Sequence, residues 1–340
     1  MEKSMKFYLG IDVSKLWFDI SVMSVIDHQK QPMQTERFDN NVEGIKHLDK
    51  WLKRQKVSFD KDSLLVIENT GVYHRLIWAY CSKRNLPIHI GNATHIKWSF
   101  GITRGKNDKI DSQRLCNYAC KNADELKLTP VLDPTLINLK DLMTSRSLLI
   151  AQVNGIKVYL GELKNTKSKE IQQIIEQTHK AAIQGLKKSI KQVEAQIIEI
   201  IKENEAIQKN YELLMSVPGI GHITAVYIIC CTHNFISKPT GKQLASYAGV
   251  APFRDTSGTS IKGRNKVHKM ANKDLKKLLH LCALTAIKVY PEFQQYRDRK
   301  KAEGKHTMSI INAVRNKIVL RVASVISKQR KYVDNYKIAA

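Results

Sequence analysis

Phe7-Tyr8-Leu9-Gly10-Ile11-Asp12 is an apolar run closed by an acid. Set between Lys6 and the polar Ser14-Lys15, it reads as a short strand buried on both faces. Leu64-Leu65-Val66-Ile67 repeats the pattern and is closed by Glu68. Outward from these two strands the chain alternates. Leu16 to Val25 is β-rich and joined to the first run by Val13-Ser14-Lys15, which predicts a hairpin. Val42 to Gln55 has helical spacing at Ile45, Leu48, Trp51 and Leu52. Tyr73 to Arg84 reads as a helix and Pro87 to Gly91 as a strand. A last helix begins near Asp108, with Ile110, Leu115, Tyr118 and Ala119 expected on its buried side. This order predicts a mixed sheet covered by helices.

Asp108 and Asp111 stand three apart in Lys106-Asn107-Asp108-Lys109-Ile110-Asp111, a spacing that puts both on one helix face. Taken singly, an acid at a strand end is more often a loop-facing charge, and an i, i+3 pair a solvated surface. Together, Asp12, Glu68, Asp108 and Asp111 supply what a two-metal phosphoryl-transfer site needs. Such a cluster repels itself unless divalent cations neutralise it.

The formal net charge is +25 over 340 residues, and it is uneven. From Ala251 onward there are 21 of the 56 lysines and arginines but only 6 of the 31 acids. A surplus of that size implies a polyanionic partner, with nucleic acid favoured over an anionic membrane because no basic amphipathic anchor stands out. No apolar run approaches the roughly 18 residues of a membrane span. The six cysteines fall within apolar or helical patterns and read as packing residues. Cys116 and Cys120 lack a second ligand pair of zinc-site spacing. A reduced, cytoplasmic protein is expected.

Pro130 and Pro134 mark a boundary. Beyond it Leu139, Leu142, Met143, Leu149, Ile150, Val153, Ile156, Leu160 and Leu163 keep helical spacing. Ile183, Leu186, Ile190, Val193, Ile197, Ile200, Asn204 and Ile207 step alternately by three and four, a heptad seam with Asn204 placed to fix its register. Two packings satisfy that seam: a helical hairpin with residues 136–163, or a coiled coil between subunits. Ser216-Val217-Pro218-Gly219-Ile220-Gly221 then leads into an apolar helix, Ile223 to Cys231. The two glycines suit a helix-hairpin-helix whose backbone amides bind phosphate without reading sequence. Asp255-Thr256-Ser257-Gly258-Thr259-Ser260 is a polar loop entered through Arg254 and followed by Lys262, Arg264, Lys266, Lys269 and Lys273. Ser-Gly alone is an ordinary turn; beside cations, its hydroxyl can meet a phosphate. The helix from Asp274 to Tyr290 reads as core.

These segments, in this order, resemble the DEDD transposases of the insertion-sequence 110 family, which includes the Piv-type DNA invertases. The resemblance rests on Tyr8 to Lys15, Glu68 to His74, Lys106 to Asp111, Ser216 to Gly221, and Tyr247 to Pro252 with Ser257-Gly258. It runs from about residue 6 to 300. It implies a RuvC-like, ribonuclease H-type metal-binding domain over 6–128, a helical coiled-coil arm over 129–210, and a mostly helical transposase domain over 211–330. It also implies two Mg²⁺ ions, with Mn²⁺ able to substitute, held by Asp12, Glu68, Asp108 and Asp111. Ser257 becomes the nucleophile that joins DNA, and Gly219, Gly221, Arg254, Lys262, Arg264, Lys266, Lys269 and Lys273 contact nucleic acid. A structured non-coding RNA paired to donor and target DNA, and a homo-oligomer (dimer or tetramer), complete the expectation. Asn107 stands where relatives more often have Thr, and the serine loop lacks the usual Ser-Ser-Gly, which leaves Ser260 as a second nucleophile candidate.

Three rivals follow from the same residues. A RuvC-like junction nuclease would cut with metal-activated water and leave no covalent product. A non-enzymatic nucleic-acid-binding protein would bind without cutting. An actin-like or sugar-kinase ATPase shares Gly10-Ile11-Asp12, but no second Gly-rich phosphate loop accompanies it.

Overall fold

The computed structural model describes residues 5–100, 108–163, 168–251, 256–257, 261–262 and 271–333, with backbone alone at 108, 256–257 and 261–262. The chain divides into two compact units, Met1–Leu132 and Asp133–Ala340.

In the first unit, β1 (Met5–Val13) and β2 (Trp17–Ile26) form the expected hairpin, closed where the Ser14 amide donates to the Trp17 carbonyl at 2.9 Å. β3 (Gln29–Lys30) and β4 (Gln34–Asp39) both pair antiparallel with β2, as one interrupted edge. α1 (Val42–Arg54) follows, capped by the Asn41 side chain on the Gly44 amide. β5 (Ser63–Glu68), α2 (Arg75–Arg84), β6 (Ile88–Gly91), α3 (Ala93–Ser99) and α4 (Asp108–Asn122) complete the unit. Strand order is β3-β2-β1-β5-β6, with β4 also on β2, and β1, β5 and β6 run parallel.

The sheet is covered on both faces. Phe18 of β2 meets Phe38 of β4, which in turn meets Trp51 of α1, and α1 is tied to α2 where Tyr80 and Arg84 bond Asp49. On the other face Tyr8, Leu64 and Val66 share a core with Leu115, Cys116, Tyr118 and Ala119 of α4. Ile110 does not join them. It is 39% exposed, because five residues of helix turn it well away from Leu115.

The second unit begins with α5 (Pro134–Leu163) and α6 (Lys169–Glu203). Arg146 pairs with Glu194, Tyr159 lies against His179, and Gln172 donates to the Leu163 carbonyl. As one number rises the other falls, so the two helices are antiparallel neighbours and the hairpin packing describes this chain. The seam ends earlier than its periodicity predicts. Asn204 is extended (φ −116°, ψ 102°), terminates α6, and accepts from the Ile207 amide to cap α7 (Glu205–Met215). Its polar side chain is a helix cap and not a register-setting core position.

The remaining helices are α8 (His222–Cys231), α9 (Gly241–Tyr247), α10 (Lys273–Val289), α11 (Pro291–Ala302) and α12 (Thr307–Lys328). A short hairpin of β7 (Thr256–Ser257) and β8 (Ile261–Lys262) lies between α9 and α10. Leu136, Leu139, Met143, Ile197 and Ile201 at the base of α5 and α6 are buried in one core with Leu214, Ile229, Leu279, Ala283, Val314 and Ile318. Among the described residues no helix is long and apolar enough to cross a membrane.

Candidate functional site

The register of the sheet brings Asp12 and Glu68 together. Ile11 pairs with Ile67 across the parallel β1–β5 ladder, so the next residue on each strand is an acid. Tyr8 and Leu64 mark the α4 face, and the alternation of strand side chains puts Asp12 and Glu68 on that same face. Both are half-buried at the strand ends.

α4 lies directly over this pair because Gly10 lets it. A Cβ at Gly10 would overlap the Cys116 amide nitrogen and the Ser112 carbonyl oxygen. Cys116 Sγ donates to the Tyr8 carbonyl at 3.1 Å, and Ser112 Oγ lies 2.8 Å from Ser21 Oγ, itself 2.8 Å from Thr35 Oγ1. Those contacts fix the rotation of α4, and with it the stations of Asp108 and Asp111 in its first turn. Burial first, then the Asp111 carboxylate, raise the Glu68 carboxyl above its ordinary value, with Lys97 of α3 opposing. Asp111 is meanwhile held by Arg114 at 2.7 Å. Among the described residues no group of three acids, histidines or cysteines is close enough to hold an ion. The Asp108 side chain lies outside that description. Carboxylate donors at a site where one acid resists ionisation fit a hard divalent cation.

Around Gly219 and Gly221 in the second unit, only the first glycine is demanded by geometry. Gly219 has φ +88°, and a Cβ there would stand 2.8 Å from the Cys282 carbonyl oxygen. Gly221 is the N-cap of α8, with open space where a Cβ would be, and it gives the first amides of that helix no side-chain cap. Tyr211 stacks on His222 at that end and shares a hydrogen bond with its Nδ1. Ser257 pairs with Ile261 in the β7–β8 hairpin, so it stands on a strand and not in an open loop. Arg254, Ser260, Arg264, Lys266 and Lys269 lie outside the described residues, Lys262 is described by backbone alone, and Lys273 opens α10, exposed.

Two family models match the chain. A DEDD transposase model of the IS110 type matches residues 9–164, and the model for the transposase IS116/IS110/IS902 family matches residues 211–298. The chain belongs to the IS110 family of transposases. It is 27% identical over 341 residues to the pilin gene-inverting protein of Moraxella bovis, covering 96% of this chain and 98% of that protein. The Moraxella lacunata protein of that name gives the same figures. The insertion element IS110 uncharacterized 43.6 kDa protein of Streptomyces coelicolor is 37% identical over 107 residues, 31% of this chain and 26% of its own length. This transposase is therefore an enzyme of DNA recombination, and its DEDD class implies dependence on a divalent metal.

Two features of the transposase's acidic site escape a reading of the sequence. Asp19 faces Asp12 across the β1–β2 ladder, is 4% exposed, and is gripped by Arg37 of β4 through Nε and a terminal nitrogen at 2.8–3.2 Å. Engaged in this way, Asp19 is a neighbour of the site and not a free donor. The lone charge in Trp17-Phe18-Asp19-Ile20 was the available signal. Lys97 is the other, on a seven-residue helix whose start is marked by the Asn92 cap.

Proposed function

We propose that this transposase cuts and rejoins DNA for an insertion element with a RuvC-like DEDD site and a serine nucleophile. The observation that carries the reading is the matched register of Asp12 and Glu68 on the face overlain by α4. Asp12, Glu68, Asp108 and Asp111 would hold Mg²⁺. The bound ions would neutralise the carboxylates and favour ionisation of a hydroxyl and departure of a strand oxygen. Ser257 Oγ attacks the phosphorus, loses its proton, and displaces one deoxyribose oxygen, which leaves as a hydroxyl. The phosphoserine bond conserves the energy of the phosphodiester, so an incoming strand hydroxyl reverses the step without ATP.

The Gly219–Gly221 turn and the open start of α8 suit phosphate binding in the manner of a helix-hairpin-helix. Arg254, Lys262, Arg264, Lys266, Lys269 and Lys273 would hold the DNA backbone. The family resemblance further supports a guide RNA from the element's non-coding end. It also supports a cytoplasmic homo-oligomer in which the acidic domain of one subunit (6–128) serves the transposase domain (211–330) of another. The full-length similarity to pilin gene-inverting proteins supports strand exchange over simple cutting.

A nicked DNA substrate, incubated with full-length protein and Mg²⁺ and resolved under denaturing conditions, tests this. A covalent protein–DNA adduct is expected in the wild type and lost in Ser257→Ala. An adduct that persists in Ser257→Ala overturns the serine assignment, and cleavage with no adduct at all favours the junction-nuclease chemistry.

A further inference from the structure

Arg315 of α12 is 6% exposed. A terminal nitrogen donates to Nδ1 of His280 on α10, and its buried Nε has no hydrogen-bond partner. No carboxylate of the neighbouring helices pairs with it: Glu292 is bound to Arg321, Glu212 to Lys331 and Asp298 to Arg297, while Glu205 and Asp274 lie in the first turns of α7 and α10. α12 contains no acid from Thr307 to Lys328, and α10 contains Asp274 alone. His280 offers no compensating charge. Burial, then the Arg315 guanidinium, hold its imidazole below the ordinary value, so it is a neutral acceptor. A guanidinium taken out of water beside only a neutral partner costs the folded protein more than one hydrogen bond returns. Such a cost is retained where function needs the group.

The surroundings indicate what kind of anion would answer it. Asn312, three residues before Arg315 and on the same face of α12, donates to the Val250 carbonyl at 3.0 Å. Asn272, the N-cap of α10, accepts from the Tyr227 hydroxyl at 3.0 Å and donates to the Tyr247 hydroxyl at 2.9 Å. Val250 and Asn272, which flank in sequence the stretch bearing Ser257, are thus both anchored to the helices. Arg315 stands about 4.5 Å beyond Asn312 along the α12 axis. A planar guanidinium with free donors matches two oxygens of one phosphate.

We propose that Arg315, held in place by His280, receives one phosphodiester of bound DNA at the base of the serine segment. This rests on the strand-exchange reading above and adds a phosphate contact to it that lies outside the basic stretch 254–273.

The test uses full-length protein, a duplex oligonucleotide, thermal unfolding without DNA, and binding measured over a range of salt. Arg315→Met should raise the melting temperature of the free protein. It should weaken duplex binding about tenfold or more and reduce the log–log salt slope by about 0.9, one phosphate. Arg315→Lys keeps the charge without the fork, so it should keep the slope while losing part of the affinity. A lower melting temperature in Arg315→Met would mean that a carboxylate of the protein already answers the charge. An unchanged slope in that variant would mean that no phosphate does. Either result overturns the proposal. Wild-type protein that binds the duplex without salt dependence would instead refute the underlying reading of the protein as a DNA-strand exchanger.

Discussion

Asp12 and Glu68 stand side by side near the ends of neighbouring parallel strands, each one residue beyond the Ile11–Ile67 pair, and both face α4. Two acids so placed, with Asp111 on the covering helix, cannot all ionise freely without a cation. Burial first, and then the Asp111 carboxylate, raise the Glu68 carboxyl. Between its ordinary value, about 4.3, and its raised folded value, the native state binds the extra proton. The associated stability is present below the ordinary value and lost as pH rises through the folded one. Glu68→Gln should therefore be more stable than wild type at neutral pH in metal-free buffer, with a flatter pH dependence in urea unfolding. Its strand-exchange rate should fall by about a hundredfold or more.

Gly10 should tolerate no side chain. Its missing Cβ is the space occupied by Cys116 and Ser112 backbone, so Gly10→Ala must push α4 off the sheet. Unfolding measurements should show a loss of about 3 kcal/mol, and activity should fall although every acid remains.

Arg37 supports the site indirectly. Its side chain is half-exposed, whereas that of Asp19 is 6% exposed, so removing the arginine strands a buried carboxylate. Arg37→Met should destabilise by about 3 kcal/mol. Asp19→Asn combined with Arg37→Met should recover most of that loss, which a double-mutant cycle in chemical denaturation would reveal.

Asn204 distinguishes a cap from a coiled-coil register device. Because it caps α7 and terminates α6, Asn204→Ala should cost about 1 kcal/mol and Asn204→Asp almost nothing. Neither should change the molecular mass seen by sedimentation.

The apolar periodicity exposed much of this architecture because burial dictates it. Leu9, Ile11, Leu65 and Ile67 are fully buried, as two-sided strands require. Leu139, Met143 and Val153 are buried at the helical spacing read from the chain. What escaped notice was built from weaker signals. Gln34-Thr35-Glu36-Arg37-Phe38-Asp39 is an edge strand with one solvated side, so it carries no apolar run. Missing that strand also hid the partner of Asp19. Asn204 keeps its three-residue step to Ile207 whether the helix continues or breaks, so spacing alone could not separate a seam from a cap. The four-acid motif was legible as chemistry, but the register joining Asp12 to Glu68 and the α4 docking at Gly10 are tertiary facts.

Calorimetric titration of Mn²⁺ into the metal-free protein, repeated in buffers of different ionisation enthalpy, tests most directly whether these acids form one centre. In mildly acidic buffer, near the ordinary carboxylate range, wild type should bind with proton release as Glu68 ionises. Asp12→Asn, Glu68→Gln and Asp111→Asn should each weaken binding by about tenfold or more, and Glu68→Gln should abolish the proton release. Wild-type affinity in all three variants would contradict the account.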